Sequence, residues 1–390
     1  MLMKRPTQLS AAARHLQRGG ILPLALVLAA LLGLGAGAGL MVQPGVEAQP
    51  APLVLLEAPQ LRASPERLQA HVRALSEDIP GRSFDQPAQL QKAADYIYEQ
   101  FQALGVQPQR QPVLFDGKPL FQNIVLRIGP TAGQPGGDAP LLVIGAHFDT
   151  IRTNGVSPGG KPDANSHTPG ADDNASGVAG LLELARLLTE LPPKQPIELV
   201  AYTLEEPPQF RTPLMGSFVH ASQLAQQGVP LRLMLSLEMI GYFDDKPGSQ
   251  HYPVPGMTAV YPDTGNFLAL IGQMRHFGSM RDTKAQMLGA ADLNPVGRPA
   301  LPIYTFNAPT ALRGIDYSDH QNYWWFGFPA IMVTDTSFMR NPHYHRSTDT
   351  WDKLDYQRMA QVVNAVLTVA HAAPASAASG VVAEHHNKPE

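Results

Sequence analysis

The sequence predicts an α/β sandwich, and three observations point to it. From Pro140 onward, short apolar runs alternate with segments of helical periodicity, the pattern of strands packed between helices. The runs are brief and rich in β-branched or leucine side chains, as buried strands are. Three of them also end abruptly in ionisable residues. Pro140–Ala146 (PLLVIGA) leads into His147-Phe148-Asp149, Ile197–Leu204 (IELVAYTL) into Glu205-Glu206, and Leu231–Leu237 (LRLMLSL) into Glu238. Ligands of open α/β sheets gather beyond the carboxyl ends of the strands, so these residues are expected along one edge.

In chain order, Lys4, Arg5, Arg14 and Arg18 precede Ile21–Val42, an uncharged stretch rich in Leu, Ala and Gly. Such a stretch can cross an apolar layer of about 30 Å. The flanking basic residues predict that 1–20 stays cytoplasmic and the rest is exported. Val46-Glu47-Ala48 offers a cleavage pattern, so 21–42 reads as an anchor, or as a signal segment whose removal near Ala48 would give a secreted protein. Residues 43–63, rich in Pro and Ala, read as a linker, and 64–374 as the folded domain. Ser64 suits an N-cap and Pro65 the first helical turn. A helix is expected over Gln86–Leu104, ending at Gly105. Strands are expected at Gln109–Phe115 and Phe121–Ile128, turned at Asp116-Gly117. Gly170–Gly177 (GADDNASG) leads into Val178–Leu188, apolar at helical spacing. There is no internal repeat. Residues 375–390 read as a mobile tail, in which His385-His386 is too isolated to claim a metal.

Taken singly, each ionisable segment has an ordinary explanation. Asp172, Asp173 and Asn174 at a helix start would satisfy free N–H groups. His147 alone reads more readily as a hydrogen-bonded histidine than as a ligand. Glu205-Glu206 resists this treatment, because adjacent carboxylates after an apolar strand repel each other and are costly to bury without a cation. His nitrogens and carboxylate oxygens suit zinc at open sites, and two metals close together can hold a water and a substrate group. A ligand histidine needs a partner on its other ring nitrogen, a task that Asp149 could fill. Tyr317 and Tyr344 lie near these segments either as oxyanion donors or as packed aromatics. Ser318-Asp319-His320 cannot form a triad, since triad members converge from different elements. Trp324, Trp325 and Phe326 read as core more readily than as pocket lining.

The ordered set GAHFDT, GADDNASG, TLEE, LEMIGYF, SDH and NPHYHRSTDT resembles the zinc aminopeptidase family labelled M28, from about Ser64 to about Ala372. The resemblance implies a three-layer α/β/α sandwich with a mostly parallel, mixed central sheet. It also implies two zinc ions bridged by an aspartate. Carried over by position, His147, Asp172 and Glu238 would bind one ion, and Asp172, Glu206 and His345 the other. Glu205 would be the general base, taking a proton from the attacking water and passing it to the leaving amine, with Asp149 orienting His147. The motif HRSTDT selects His345 over His343, and the SDH segment would be a structural or pocket-wall element. Two departures stand out. Glu238 occupies a position that is often aspartate in the family, and Pro207–Ser217 (PPQFRTPLMGS) replaces a short connection and reads as a specificity loop.

The implied activity is release of N-terminal residues from peptides. The alternatives are a glutaminyl-cyclase-like transferase using a single zinc, or a membrane-anchored binding module with a dead site. A net charge of −4 with no basic run outside the N-terminus argues against nucleic acid as a partner. Absence of cysteine excludes disulfides and thiolate metal sites. Oligomeric state is not legible from the chain.

Overall fold

The computed structural model describes residues 39, 41–152, 168–294 and 297–372. The expected basic segment, nearly all of the apolar stretch and the tail lie outside these residues. No helix among the described residues is long and apolar enough to cross a membrane.

Eight strands form one mixed sheet: β1 (Gln109–Phe115), β2 (Lys118–Ile128), β3 (Leu141–His147), β4 (Ile197–Tyr202), β5 (Leu231–Glu238), β6 (Leu268–Gly272), β7 (Ile303–Asn307) and β8 (Ala330–Thr334), in the order β1-β2-β4-β3-β5-β8-β6-β7. The centre, β4-β3-β5-β8, is parallel, whereas β1-β2, β2-β4 and β6-β8 pair antiparallel. The β1–β2 hairpin turns at Asp116-Gly117, both at positive φ, as an Asp-Gly pair allows.

Strand alternation divides the core into two layers. Leu142 and Ile144 of β3 face one cluster, with α2 (Pro65–Arg73), α3 (Pro87–Ala103), α4 (Gly177–Glu190), α6 (Phe277–Leu288) and α8 (Tyr356–His371). Leu141 and Val143 face the other, against α5 (Gly216–Gln226) and α7 (His320–Trp325). The three-layer sandwich therefore follows from periodicity two on strands and apolar stripes on helices. Ser64 caps α2 as its sequence position indicated, its side chain accepting from the Arg67 N–H with Pro65 in the first turn.

The linker expected at 43–63 is corrected. Ala51, Leu55, Ala58, Leu61 and Ala63 are buried in the main core, and a short helix α1 (Leu53–Leu56) forms within the segment. The Gln49 N–H donates to the Ala285 carbonyl, and Arg62 donates to the carbonyls of Leu55, Ala58, Leu61 and Leu293. Its Pro and Ala content suggested a solvated spacer. The apolar positions within it, matched to the surface of α6 and the turn that follows, make it part of the fold.

Candidate metal centre and catalytic site

Because β3, β4 and β5 are adjacent and parallel, the ionisable residues that end them arrive at one edge. His147 is level with Tyr202, and Glu238 lies two residues beyond the Gly145–Ser236 pairing. The Gly170–Ser176 turn and the loop carrying His345 close over this edge. Leu204, Met239 and His345 all have positive φ, at 60°, 48° and 57°. Left-handed backbone at non-glycine residues costs roughly 1–3 kcal/mol each and tends to cluster at functional sites.

Among the described residues, two groups of potential ligand atoms share one member: His147, Asp173 and Glu238, and Asp173, Glu206 and His345, with the atoms of each group within 4.8 Å of one another. His147 Nε2 lies 3.2 Å from Glu238 Oε2, 3.5 Å from Asp173 Oδ1 and 4.0 Å from Glu205 Oε2, yet makes no hydrogen bond. His345 Nε2 lies 3.1 Å from Asp173 Oδ2 and 3.4 Å from Glu206 Oε1. Glu205, whose Oε2 lies 4.0 Å from His147 Nε2, belongs to neither group.

The shared carboxylate is thus Asp173, where the sequence reading placed Asp172. The two side chains leave the turn in different directions. Asp172 Oδ1 accepts from the Gly241 N–H at 3.0 Å and Oδ2 from Asn341 Nδ2 at 2.7 Å. Burial, with Asp335 adding to it, holds the Asp172 carboxyl well above the usual range. Asp172 ties the β5 and Asn341 loops to the turn; Asp173 projects into the site.

Three other buried groups hold the ligand loops. Asp149 Oδ1 and Oδ2 accept from the N–H groups of Glu205 and Glu206, each at 3.0 Å. Its backbone carbonyl lies 3.1 Å from His147 Nδ1 and its carboxylate 3.5 Å, so the closer partner of the histidine is main chain. Asp349, within HRSTDT, does the same on the other side, accepting from the N–H groups of Asp172 and Asp173. Arg82, fully buried, donates to the carbonyls of Phe148, Pro169 and Gly170, joining the His147 and Asp173 segments. Gly170 has φ +63°, and a Cβ there would lie 2.4 Å from the Asp173 carbonyl oxygen, so the turn requires glycine. Sequence reasoning missed Arg82 altogether, since an arginine in IPGRS carries no chemical signal.

Of the remaining candidates, Ser318 donates to Glu238 Oε2 at 2.7 Å, which makes SDH a support for the site. His320 packs edge-on to Trp324, and burial lowers it to about 4. His343 Nδ1 pairs with Thr348 Oγ1 and stays outside both groups. Trp324 is core, but Trp325 is exposed, contrary to its reading as core. Tyr344 stacks on the His345 ring at 3.7 Å.

Burial acts on every ionisable group here. It holds Glu205 well above the usual carboxylate range; His147 pulls it down, and Glu206 and Glu238 push it up again. Glu206 rises to about 7, first through burial and then through Asp173. For His147, burial lowers the pKa, but Glu238 and Glu205 overcome it and the net shift is well upward. So many buried carboxylates crowded together favour a compensating cation.

Beside the ligands opens a cavity of about 310 Å³, walled by Phe210, Tyr252, Ile271, Phe306, Met332 and Phe338 among others. Pro207 and Arg211 also line it, which places the Pro-rich loop at the site as expected.

The sequence profile of Peptidase family M28 matches residues 123–370. The chain belongs to this family. The Escherichia coli K12 protein YfbL, itself uncharacterized, is 47% identical over 307 residues, spanning 79% of this chain and 88% of its own. Leucine aminopeptidase 1 of Arthroderma otae is 29% identical over 250 residues, 62% of this chain, and the match spans only 56% of that relative. Among solved structures, LapB of Legionella pneumophila aligns over 80% of this chain and 73% of its own with a TM-score of 0.57 and 20% identity. A Bacteroides thetaiotaomicron glutaminyl cyclase aligns over 80% and 98% with a TM-score of 0.57 and 19% identity. At these identities the structural likeness speaks for the fold alone.

Proposed function

We propose that this M28 member is an exported aminopeptidase that uses two zinc ions to hydrolyse N-terminal residues from peptides. The observation that carries the reading is a pair of His/carboxylate groups joined through Asp173 at the wall of an apolar cavity that Glu205 also lines. The donor set fits zinc: a histidine nitrogen and carboxylate oxygens in each group, with His147 Nε2 buried and without a hydrogen bond. His147, Asp173 and Glu238 would hold one ion and Asp173, Glu206 and His345 the other. When bound, zinc supplies Lewis acidity toward the scissile carbonyl and lowers the pKa of the attacking water.

The protein's own groups do the rest. Glu205 is free of both ligand groups, takes the proton from the attacking water and delivers it to the leaving amine. Asp149 fixes the Glu205 backbone, which keeps the base in register with the ligands. The apolar cavity excludes water and accepts the side chain of the departing residue. Tyr344, stacked on His345, is positioned by packing, and no proton step is assigned to it. The basic segment and the apolar stretch ahead of Met41 support an anchor that leaves the domain outside the cytoplasm, while Met41 and Val42 themselves pack on the domain.

A second reading is single-zinc glutaminyl cyclisation, for which the shared fold of a glutaminyl cyclase at 19% identity carries no functional weight. The second ligand group argues for the peptidase. The deciding experiment is zinc content per chain alongside a panel of aminoacyl anilides and an N-terminal glutamine peptide. About two zinc ions with chelator-sensitive aminoacyl release supports the proposal. One zinc with glutamine cyclisation favours the transferase, and neither metal nor turnover leaves the binding module.

A further inference from the structure

The unit β6–α6–β7 closes one end of the sheet. Strand β6 pairs with β8 over only Ala269, Leu270 and Ile271, and β7 is the sheet's edge. Yet this unit supplies Ile271 and Phe306 to the wall of the cavity. The main core holds one face of the unit through Leu268, Leu270 and α6, and something else must hold the opposite face, which carries Ala269, Ile271 and Phe306.

The N-terminal segment is built to do so. Met41 and Val42 pack on the aromatic cluster of Met257, Tyr261, Phe267, Ala269 and Phe306, and of these Met257 and Phe306 also line the cavity. Thr305 Oγ1 donates to the Val42 carbonyl at 2.7 Å. The Thr305 carbonyl in turn accepts from Tyr261 Oη at 2.8 Å. The Tyr261 ring stacks on Phe306 at 4.1 Å and on Tyr252 at 5.6 Å, both on the cavity wall. Lys284 of α6, a lysine only 7% exposed, donates to the Gln43 carbonyl at 3.0 Å, and Gln43 Nε2 donates to the Phe277 carbonyl at 3.0 Å. A nearly buried ammonium satisfied by main-chain carbonyls ties the two segments together.

We propose that residues 41–43 form a strap that positions the β6–β7 wall of the cavity and thereby sets discrimination among substrate N-terminal side chains. Thr305 and Lys284 are its positioning residues. This rests on the aminopeptidase reading, in which the cavity receives that side chain. The metal-ligand candidates come from β3, β5, the loop after β4, the Asp173 turn and the His345 loop, so loosening the wall changes side-chain fit and spares the chemistry.

The test compares Thr305→Val, Thr305→Ser and Lys284→Met with the unaltered full-length, zinc-loaded protein on alanyl, leucyl and phenylalanyl anilides. The strap requires Thr305→Val and Lys284→Met to raise KM for the leucyl and phenylalanyl substrates roughly tenfold, the scale of one misplaced methylene in an apolar pocket. The alanyl KM and all kcat values stay unchanged, and Thr305→Ser, which keeps the donor, restores the original values. Equal losses on all three substrates, or no change in any, would overturn it. If the unaltered protein turns over none of the three, the aminopeptidase reading falls instead. The strap is then judged by hydrogen exchange: faster exchange in 268–272 and 303–307 of Thr305→Val, with 141–147 unchanged, supports it, and unchanged exchange in all three segments overturns it.

Discussion

At the scale of single residues, the two neighbouring aspartates have opposite assignments. Asp173 is the shared ligand candidate, whereas Asp172 is occupied by the Gly241 N–H and Asn341. Asp173→Asn is therefore expected to lose most bound zinc, while Asp172→Asn keeps zinc and melts at a lower temperature. Metal analysis beside thermal melting checks both, and the reverse pattern would return the bridge to Asp172. Glu205 stands apart from the ligand groups, so Glu205→Gln is expected to retain its metal while kcat falls by about 10²–10⁴-fold, the usual worth of a general base. Unchanged turnover at full occupancy would remove Glu205 from the reaction.

At the scale of elements, the ligand loops are held by buried acceptors for their N–H pairs: Asp149 for Glu205-Glu206 and Asp349 for Asp172-Asp173. Burial, with Asp172 adding to it, raises the Asp349 carboxyl to about 8. Replacing Asp349 with alanine leaves two buried N–H groups without partners, at about 1–3 kcal/mol each. The expected result is a lower melting temperature together with weaker zinc retention on dialysis, because the turn that carries Asp173 loses its anchor. A variant that melts lower yet holds zinc as tightly as the unaltered chain would separate that anchor from the site.

At the scale of the whole molecule, the segment before Ser64 belongs to the domain. Leu55 is fully buried, and truncating such a leucine to alanine typically costs about 2–5 kcal/mol. A chain beginning at Gly39 is thus expected to be more stable toward urea than one beginning at Ser64; equal midpoints would make 43–63 dispensable. Acid stability follows from histidines away from the metal centre. Burial lowers His71, His276 and His371 to about 4 each. Their folded pKa lies below the unfolded value, so the unfolded state binds more protons between about 6.5 and 4. Their contribution is complete above that window and is lost as pH falls through it. His71→Gln with His371→Gln should flatten the decline of stability across this range, measured by urea unfolding at stepped pH; an unchanged slope would mean that these rings are not held neutral.

Strand and helix positions, the family, and the residue types of the site were legible in the chain because they depend on local pattern: apolar runs ending in His147, Glu205-Glu206 and Glu238, a cap at Ser64, a hairpin at Asp116-Gly117. Adjacent residues that differ only in direction were not. Asp172 and Asp173 have the same chemistry and share one turn, and which of them points into the site depends on Asp349, Gly241 and Asn341, which lie between 69 and 177 positions away in the chain. Arg82 was invisible for the same reason, since its carbonyl partners meet only in the folded chain. The segment 43–63 reads as a spacer by composition and becomes core only because α6 and the turn that follows it offer a surface. Sequence alone determined which groups this protein can use. Tertiary packing decided which of them face one another, because a side chain's direction is settled by contacts from distant parts of the chain.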